Sequence, residues 1–454
     1  MTDRGMWGSR LGFILAAAGS AVGLGNIWAF PTQVGRGGGA VFVLVYLLCV
    51  VVICAPILIA EVALGRASRQ APVGAFLHVR PASPWGAAGA LAVVTCVGIM
   101  SFYVVIGGWT LAYVWYSATS AIAPGPAAAA ARFTELTSSG IAGVAYTFAF
   151  VGLTTVSNIG GIRTGIERVS KVLMPLLMLL LVVLTARALT LPGASEGLAY
   201  YLTPDLSKVL DANVLAAALG QAFFSLSLGM GIMITYGSYL DRSESIARSV
   251  LWVVALDTLI ALLAGLIIFP AGFSIAGFDP SASGPGLIFN VLPQLFATLP
   301  GGQLFGAAFF VLLAMAALTS SISLLEVPAS HFIDRRGWSR PKAVIVASAV
   351  VFLLAVPSAL GNGAVDLFTN FVPASLGGNF LGFMATIWNN FSLPIGGLLV
   401  ALCAGYAWGV PRAMEELVAE HAWFPMPTVW GVLVHYVAPV AIASIIVSAV
   451  VALM

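Results

Sequence analysis

The stretch LGFILAAAGSAVGLGNIWAFP, residues 11–31, is apolar enough to cross a bilayer, yet it carries Gly23–Leu24–Gly25 at its centre. A second stretch, AALGQAFFSLSLGMGIMITYGSY at 217–239, repeats the arrangement with Gly229–Met230–Gly231. Glycine weakens a helix by about 1 kcal/mol relative to alanine. In a bilayer, backbone released from its helix is tolerated only where it is buried or lines a polar cavity. Ser20, Asn26, Ser225 and Ser227 place hydroxyl and amide groups beside the two breaks. Close packing of small residues accounts for Gly19 and Gly23, but it leaves the polar clustering at both breaks unexplained. The interruptions therefore predict two discontinuous helices that meet around a polar site.

The rest of the chain supplies the membrane. Of its 454 residues 60% are hydrophobic and only 8% charged, against about 25% charged in an average soluble domain. That composition excludes a water-soluble enzyme and predicts an all-α integral membrane protein. The net charge of +2 gives no argument for a nucleic-acid partner, and no obligate protein partner is evident. A span needs about 20 apolar residues. Eleven candidates run over 11–35, 39–64, 86–121, 141–157, 165–190, 212–239, 246–273, 302–333, 342–358, 380–409 and 429–454. The start, RLGFILAAAGSAVG, has the look of a signal peptide; its apolar run continues through Asn26–Phe30, so it is read as a retained first helix.

Charge sets the orientation. With the N-terminus inside, fifteen of the 19 Lys and Arg residues fall in cytoplasmic segments, and only Arg36, Arg132, Arg187 and Lys208 fall outside. This fits the positive-inside rule and predicts a multi-pass protein of the cell (inner) membrane with an extracytoplasmic C-terminus. Cys49, Cys54, Cys96 and Cys403 all lie in apolar runs, the habit of buried structural thiols. Three acids, Glu61, Asp257 and Glu326, fall within apolar runs, where an ionisable group is expensive. Glu61, near Arg66, and Glu326, near an unwound backbone, read as structural. Asp257, deep in WVVALDTLIALLAG without a basic neighbour on its helix, reads as functional.

Gly-interrupted spans at corresponding positions of two halves point to inverted repeats with a binding site between them. The expected division is 1–190 for the first repeat of five spans, 191–211 for an external loop, 212–409 for the second repeat, and 410–454 for a loop and the last span. Broken helices expose N–H groups on one side and C=O groups on the other. The first suit a carboxylate and the second suit cations, so a zwitterionic amino acid with sodium fits both.

At these residues the chain resembles the neurotransmitter:sodium symporter family, and its bacterial amino-acid transporters of leucine-transporter type most of all. The carriers are WGSRLGFILAAAGSAVGLGNIWAFP (7–31), GGGAVFVLVYLL (37–48), ERVSKVLMP (167–175), GQAFFSLSLGMG (220–231) and ALTSSIS (317–323). The resemblance implies a 5+5 inverted-repeat fold with two bound sodium ions. One sodium site would use Ala21, Asn26, Ser225 and Asp257. The other would use Gly19, Val22, Ala316, Thr319 and Ser320. The substrate pocket would comprise Ala21, Gly23, Leu24, Gly25, Ile99, Tyr103, Phe224, Ser225, Ser227, Met230, Ser320 and Leu324, with Tyr103 on the carboxylate and Phe224 as the outer lid. An inner gate would pair Arg4 with Asp334, backed by Trp7.

Departures from the family pattern refine this. Amine-carrying relatives place an aspartate where this chain has Gly23, so an α-amino acid is expected, with a hydrophobic or aromatic side chain. The outer ion pair of many members is missing, with Ala29 at one position and no acid in GNFLGFMATIWNNF (378–391); Asp366 falls in the preceding loop. Chloride-requiring relatives have a neutral amide at position 257, and some chloride-independent ones carry an acid where this chain has Ala261. Here Asp257, surrounded by Tyr46, Gln221 and Ser225, would supply the negative charge, making chloride unnecessary. No HExxH is present and the four histidines are scattered, which argues against an enzyme. A sodium-dependent amino-acid sensor or channel on the same scaffold is the alternative reading.

Overall fold

The computed structural model describes residues 5–119, 121, 125–275, 278–280, 287–298 and 301–451. Among these, nine helices are long and apolar enough to cross a membrane, and a tenth span is the bent pair Arg10–Ala21 and Gly25–Arg36, turned by 47°. The remaining stretch of the eleven is made of Ala212–Ser225 and Ile232–Gly237, each shorter than a bilayer is thick. Numbered in chain order, these are spans 1 to 11, with span 1 the bent pair and span 6 the two short helices. Span 2 is Ala40–Ser68, span 3 Trp85–Ala118, span 4 Gly140–Ile159, span 5 Ile162–Ala188 and span 7 Ile246–Gly272. Span 8 is Gly302–Arg336, span 9 Arg340–Leu360, span 10 Phe380–Ala407 and span 11 Pro427–Val451.

Spans 3 and 8 are largely buried, whereas spans 4, 5 and 11 turn most of their surface outward. Outward-facing Leu48, Val51, Phe148, Val156, Leu353 and Val440 are apolar and exposed, as a lipid-facing surface requires. Inside, hydroxyls join the helices: Ser20 meets Ser323 at 2.7 Å and Thr154 meets Ser321 at 2.8 Å. Such bonds replace the hydrophobic drive that lipid cannot provide. The four cysteines are buried and free.

Both expected breaks are present. Ser9 caps span 1 by accepting the Gly12 N–H at 3.0 Å, and the helix stops where Val22 turns extended (φ −74°, ψ 104°). In span 6 the chain leaves the helix after Ser225 and restarts at Ile232, with Ser227, Gly229 and Gly231 all in the left-handed region at φ 55°, 78° and 73°. A Cβ on Gly229 would collide with the backbone of Leu393 and Gly397 in span 10. Only glycine meets both demands there.

Two of the three intramembrane acids have partners other than those expected. Glu61 does not pair with Arg66; its Oε1 accepts the Gly229 N–H at 2.8 Å, satisfying backbone that span 6 sets free. Arg66 is fully buried and binds Glu416 instead, Nε to Oε1 at 2.6 Å. Glu326 does not hold unwound backbone: Arg340 donates to both its oxygens, at 3.1 and 2.5 Å, and the Tyr239 hydroxyl donates at 2.7 Å.

Candidate substrate and ion site

The two breaks face each other and exchange hydrogen bonds. Ser227 Oγ of span 6 and Ser320 Oγ of span 8 each donate to the Ser20 carbonyl at 3.0 Å, taking up an acceptor freed at the end of the first half-helix. The strained backbone of Ser227 is thus held by its own side chain. On the other side of the break, Gly23 N–H donates to Asn26 Oδ1 at 3.1 Å and Leu24 N–H to the Tyr103 hydroxyl at 3.3 Å. Gln221 Nε2 donates to the Gly25 carbonyl at 2.8 Å.

Between the breaks lies a cavity of about 20 Å³, lined by Ala21, Gly23, Gly25, Ile99, Tyr103, Phe224, Ser227, Met230, Ser320 and Leu324. Ten of the twelve expected pocket residues thus come together, and Ser20 joins them. The volume holds little more than a water or two, so a larger occupant must displace side chains. Leu24 and Ser225 lie elsewhere. Leu24 borders a neighbouring chamber of about 130 Å³ with Trp28, Ala29 and Asn389, and Ser225 belongs to the Asp257 cluster. A Cβ at position 23 would press on Ser320 Oγ and the Tyr103 hydroxyl; glycine keeps that corner open.

Half-buried Phe224 and buried Tyr103 border both chambers and form the partition between them. Beyond Phe224 a vestibule of about 480 Å³ contains Ala29, Gln33, Asn389 and Asn390. The two asparagines belong to span 10, in the stretch TIWNNF that carries no acid. Asp366 starts the short helix Asp366–Thr369. At the opposite end Trp7 closes the bundle. Its Nε1 donates to the Tyr236 carbonyl at 2.9 Å, its N–H to the Tyr239 carbonyl at 3.2 Å, and its ring packs edge-on against Phe13 and Tyr236. Asp334 Oδ2 accepts the Ala71 N–H at 2.7 Å. Arg4, its expected gate partner, lies outside the described residues.

Beside the cavity, side chains from spans 1, 2, 6 and 7 converge without any exposed surface. Asn26 Nδ2 donates to Asp257 Oδ1 at 2.7 Å, Ser225 Oγ donates to Asp257 Oδ2 at 2.9 Å, and the Tyr46 hydroxyl reaches Oδ2 at 3.4 Å. Asn26 therefore presents its nitrogen to the carboxylate, while its oxygen is engaged with Gly23. Tyr46 and Ser225 surround Asp257 as expected. Gln221 has no hydrogen bond to it among those described; its Nε2 donates to the Gly25 carbonyl. A second oxygen group is assembled from spans 1 and 8. Thr319 Oγ1 stands 3.0 Å from the Ala316 carbonyl and Ser320 Oγ 3.3 Å from that of Val22, with Gly19 packed against Thr319. Carbonyl, hydroxyl and carboxylate oxygens are what hard cations select.

The profile of the sodium:neurotransmitter symporter family matches residues 4–131 and 134–454. This chain belongs to that family. It is accordingly a sodium-dependent, multi-pass membrane symporter rather than an enzyme. An uncharacterized sodium-dependent transporter of Bacillus subtilis is 36% identical over 442 residues, spanning 96% of this chain and 95% of the relative. Another from Haemophilus influenzae is 34% identical over 458 residues, 98% of each. The crystal structure of MhsT in complex with L-phenylalanine superposes with a TM-score of 0.90 at 40% identity, covering 98% of this chain and 100% of that one. The architecture is the family's leucine-transporter-like fold, with both unwound helices in place.

Proposed function

We propose that this protein imports a neutral α-amino acid with a hydrophobic or aromatic side chain, driven by two sodium ions through alternating access. The observation that carries this reading is the cavity between the two helix breaks: it offers freed backbone and hydroxyls at one corner, aliphatic and aromatic walls elsewhere, and no acidic or basic side chain among its described lining. A substrate entering it must bring its own carboxylate and ammonium. MhsT, similar over nearly the whole chain, was crystallised with L-phenylalanine, which supports an aromatic or large aliphatic substrate.

Asn26, Ser225 and Asp257, with the Ala21 carbonyl and the substrate carboxylate, would hold one ion. Gly19, Val22, Ala316, Thr319 and Ser320 would hold the other. The fixed charge of Asp257 makes chloride dispensable. Spans 1–5 and 6–10 act as inverted repeats, the N-terminus is cytoplasmic, and Trp7, Arg4 and Asp334 guard the inner side. In the order of events, sodium and amino acid enter past Phe224, the aromatic partition shuts, and Trp7 releases Tyr236 as the first half-helix swings. A tenfold sodium gradient at 100 mV supplies about 3.7 kcal/mol per ion. Two ions therefore drive about five decades of accumulation of a neutral substrate.

The test is uptake into proteoliposomes across a panel of the amino acids, with sodium inside, outside or absent. Accumulation of hydrophobic or aromatic amino acids above equilibrium, only under an inward sodium gradient, is the expected result. Binding without accumulation would identify a sensor, and equilibration without concentration a channel.

A further inference from the structure

Where span 5 begins, the side chains of Arg163, Thr164, Glu167, Arg168 and Lys171 border an open groove of about 370 Å³ beside Gly8. The charges in it are unevenly committed. Glu167 is nearly buried and fully engaged, accepting the Gly8 N–H at 2.6 Å, the Ser9 hydroxyl at 3.1 Å and the Lys171 ammonium at 2.6 Å. Lys171 is thereby neutralised. Arg163 and Arg168 are exposed and make no hydrogen bond or ion pair among the described residues. Among the described residues the groove therefore keeps two uncompensated positive charges.

What lies next to those charges identifies the occupant. Arg168 heads a single helical face that continues through Val172, Leu176, Leu179 and Val183, spaced by three or four residues. All four apolar residues are exposed and belong to a membrane span. An apolar stripe facing lipid and ending at two free guanidinium groups matches the outline of one phospholipid: acyl chain along the stripe, phosphate in the groove. Guanidinium forks suit phosphate oxygens, and basic residues where a span meets the membrane surface attract anionic headgroups.

We infer that this groove is a headgroup site for an anionic phospholipid, held by Arg163 and Arg168. The probe is phosphatidylglycerol, titrated onto detergent-solubilised, delipidated full-length protein and followed by native mass spectrometry and by the melting temperature. Phosphatidylcholine with the same acyl chains and inorganic phosphate serve as comparison ligands. The double variant Arg163→Gln/Arg168→Gln should bind phosphatidylglycerol about thirtyfold more weakly, from about fivefold per basic residue. Arg248→Gln, at an exposed arginine stacked on Trp423, should bind as the parent does. Phosphatidylcholine and inorganic phosphate should leave the melting temperature unchanged. Equal binding by the double variant, or by phosphatidylcholine, overturns the site. A phosphate effect matching that of phosphatidylglycerol overturns the lipid assignment.

Discussion

Asn26 Nδ2 lies 2.7 Å from Asp257 Oδ1 and 3.0 Å from Ser225 Oγ, so spans 1, 6 and 7 are tied together in one buried knot. The nitrogen, not the oxygen, of the amide faces the carboxylate. A sodium ion at the proposed site would be held by oxygens, and the Asn26 oxygen that would face it already accepts the Gly23 N–H. Ion occupancy there would thus be linked to the backbone of the first break.

Replacing Asp257 with Asn removes the negative charge and keeps the shape. The sodium concentration for half-maximal uptake should rise at least about tenfold, the equivalent of 1.4 kcal/mol, and chloride should restore part of the loss. Uptake measured with chloride or gluconate as the sole anion decides it. A variant that stays as chloride-independent as its parent refutes the charge-substitution role.

Glu61 is predicted to serve the backbone rather than transport a proton. Ala at this position strands the buried Gly229 N–H and should cost about 1–3 kcal/mol, read as a lower melting temperature in detergent. Gln retains an acceptor and should lose less than half as much. Equal losses for the two would show that the charge, not the hydrogen bond, matters.

Two glycines of the same span should behave oppositely. Gly229→Ala meets a left-handed backbone and the neighbouring span 10 chain, and should abolish the monodisperse peak that folded parent protein is expected to give on size exclusion. Gly220→Ala, in the helix Ala212–Ser225 with nothing within 4 Å of its new methyl group, should leave the melting temperature equal or higher, since alanine favours a helix by about 1 kcal/mol. A tolerated Gly229→Ala would contradict the close packing of the break against span 10.

Phe224→Ala should open the central cavity to the vestibule. Bound radiolabelled substrate is then expected to dissociate at least about tenfold faster, with little change in folding. An unchanged dissociation rate would place the barrier at another residue.

Much of this was legible in the order of residues. Each span announces itself because the bilayer taxes polarity over any stretch of about 20 residues, a property that needs no knowledge of neighbours. The breaks at Gly23–Gly25 and Gly229–Gly231 could be read for the same reason: glycines and hydroxyls in mid-span demand a buried polar site. The family resemblance then drew Tyr103, Phe224, Ser227 and Ser320 toward one pocket.

Partner choice was beyond the sequence. Hydropathy along one chain gives no helix rotation or depth, and these decide which groups touch. Glu61 sits five residues from Arg66 yet bonds Gly229, while Arg66 finds Glu416 across 350 residues. Gln221 turns from Asp257 to the Gly25 carbonyl, and Leu24 leaves the central cavity for the chamber beyond Tyr103. The sequence by itself determined that this is a helical membrane protein with two interrupted spans around a polar centre. Only tertiary packing decided which buried carboxylate caps freed backbone, which joins an ion pair, and which is left beside the cavity with amide and hydroxyl donors alone, because each depends on how adjoining helices are turned against one another.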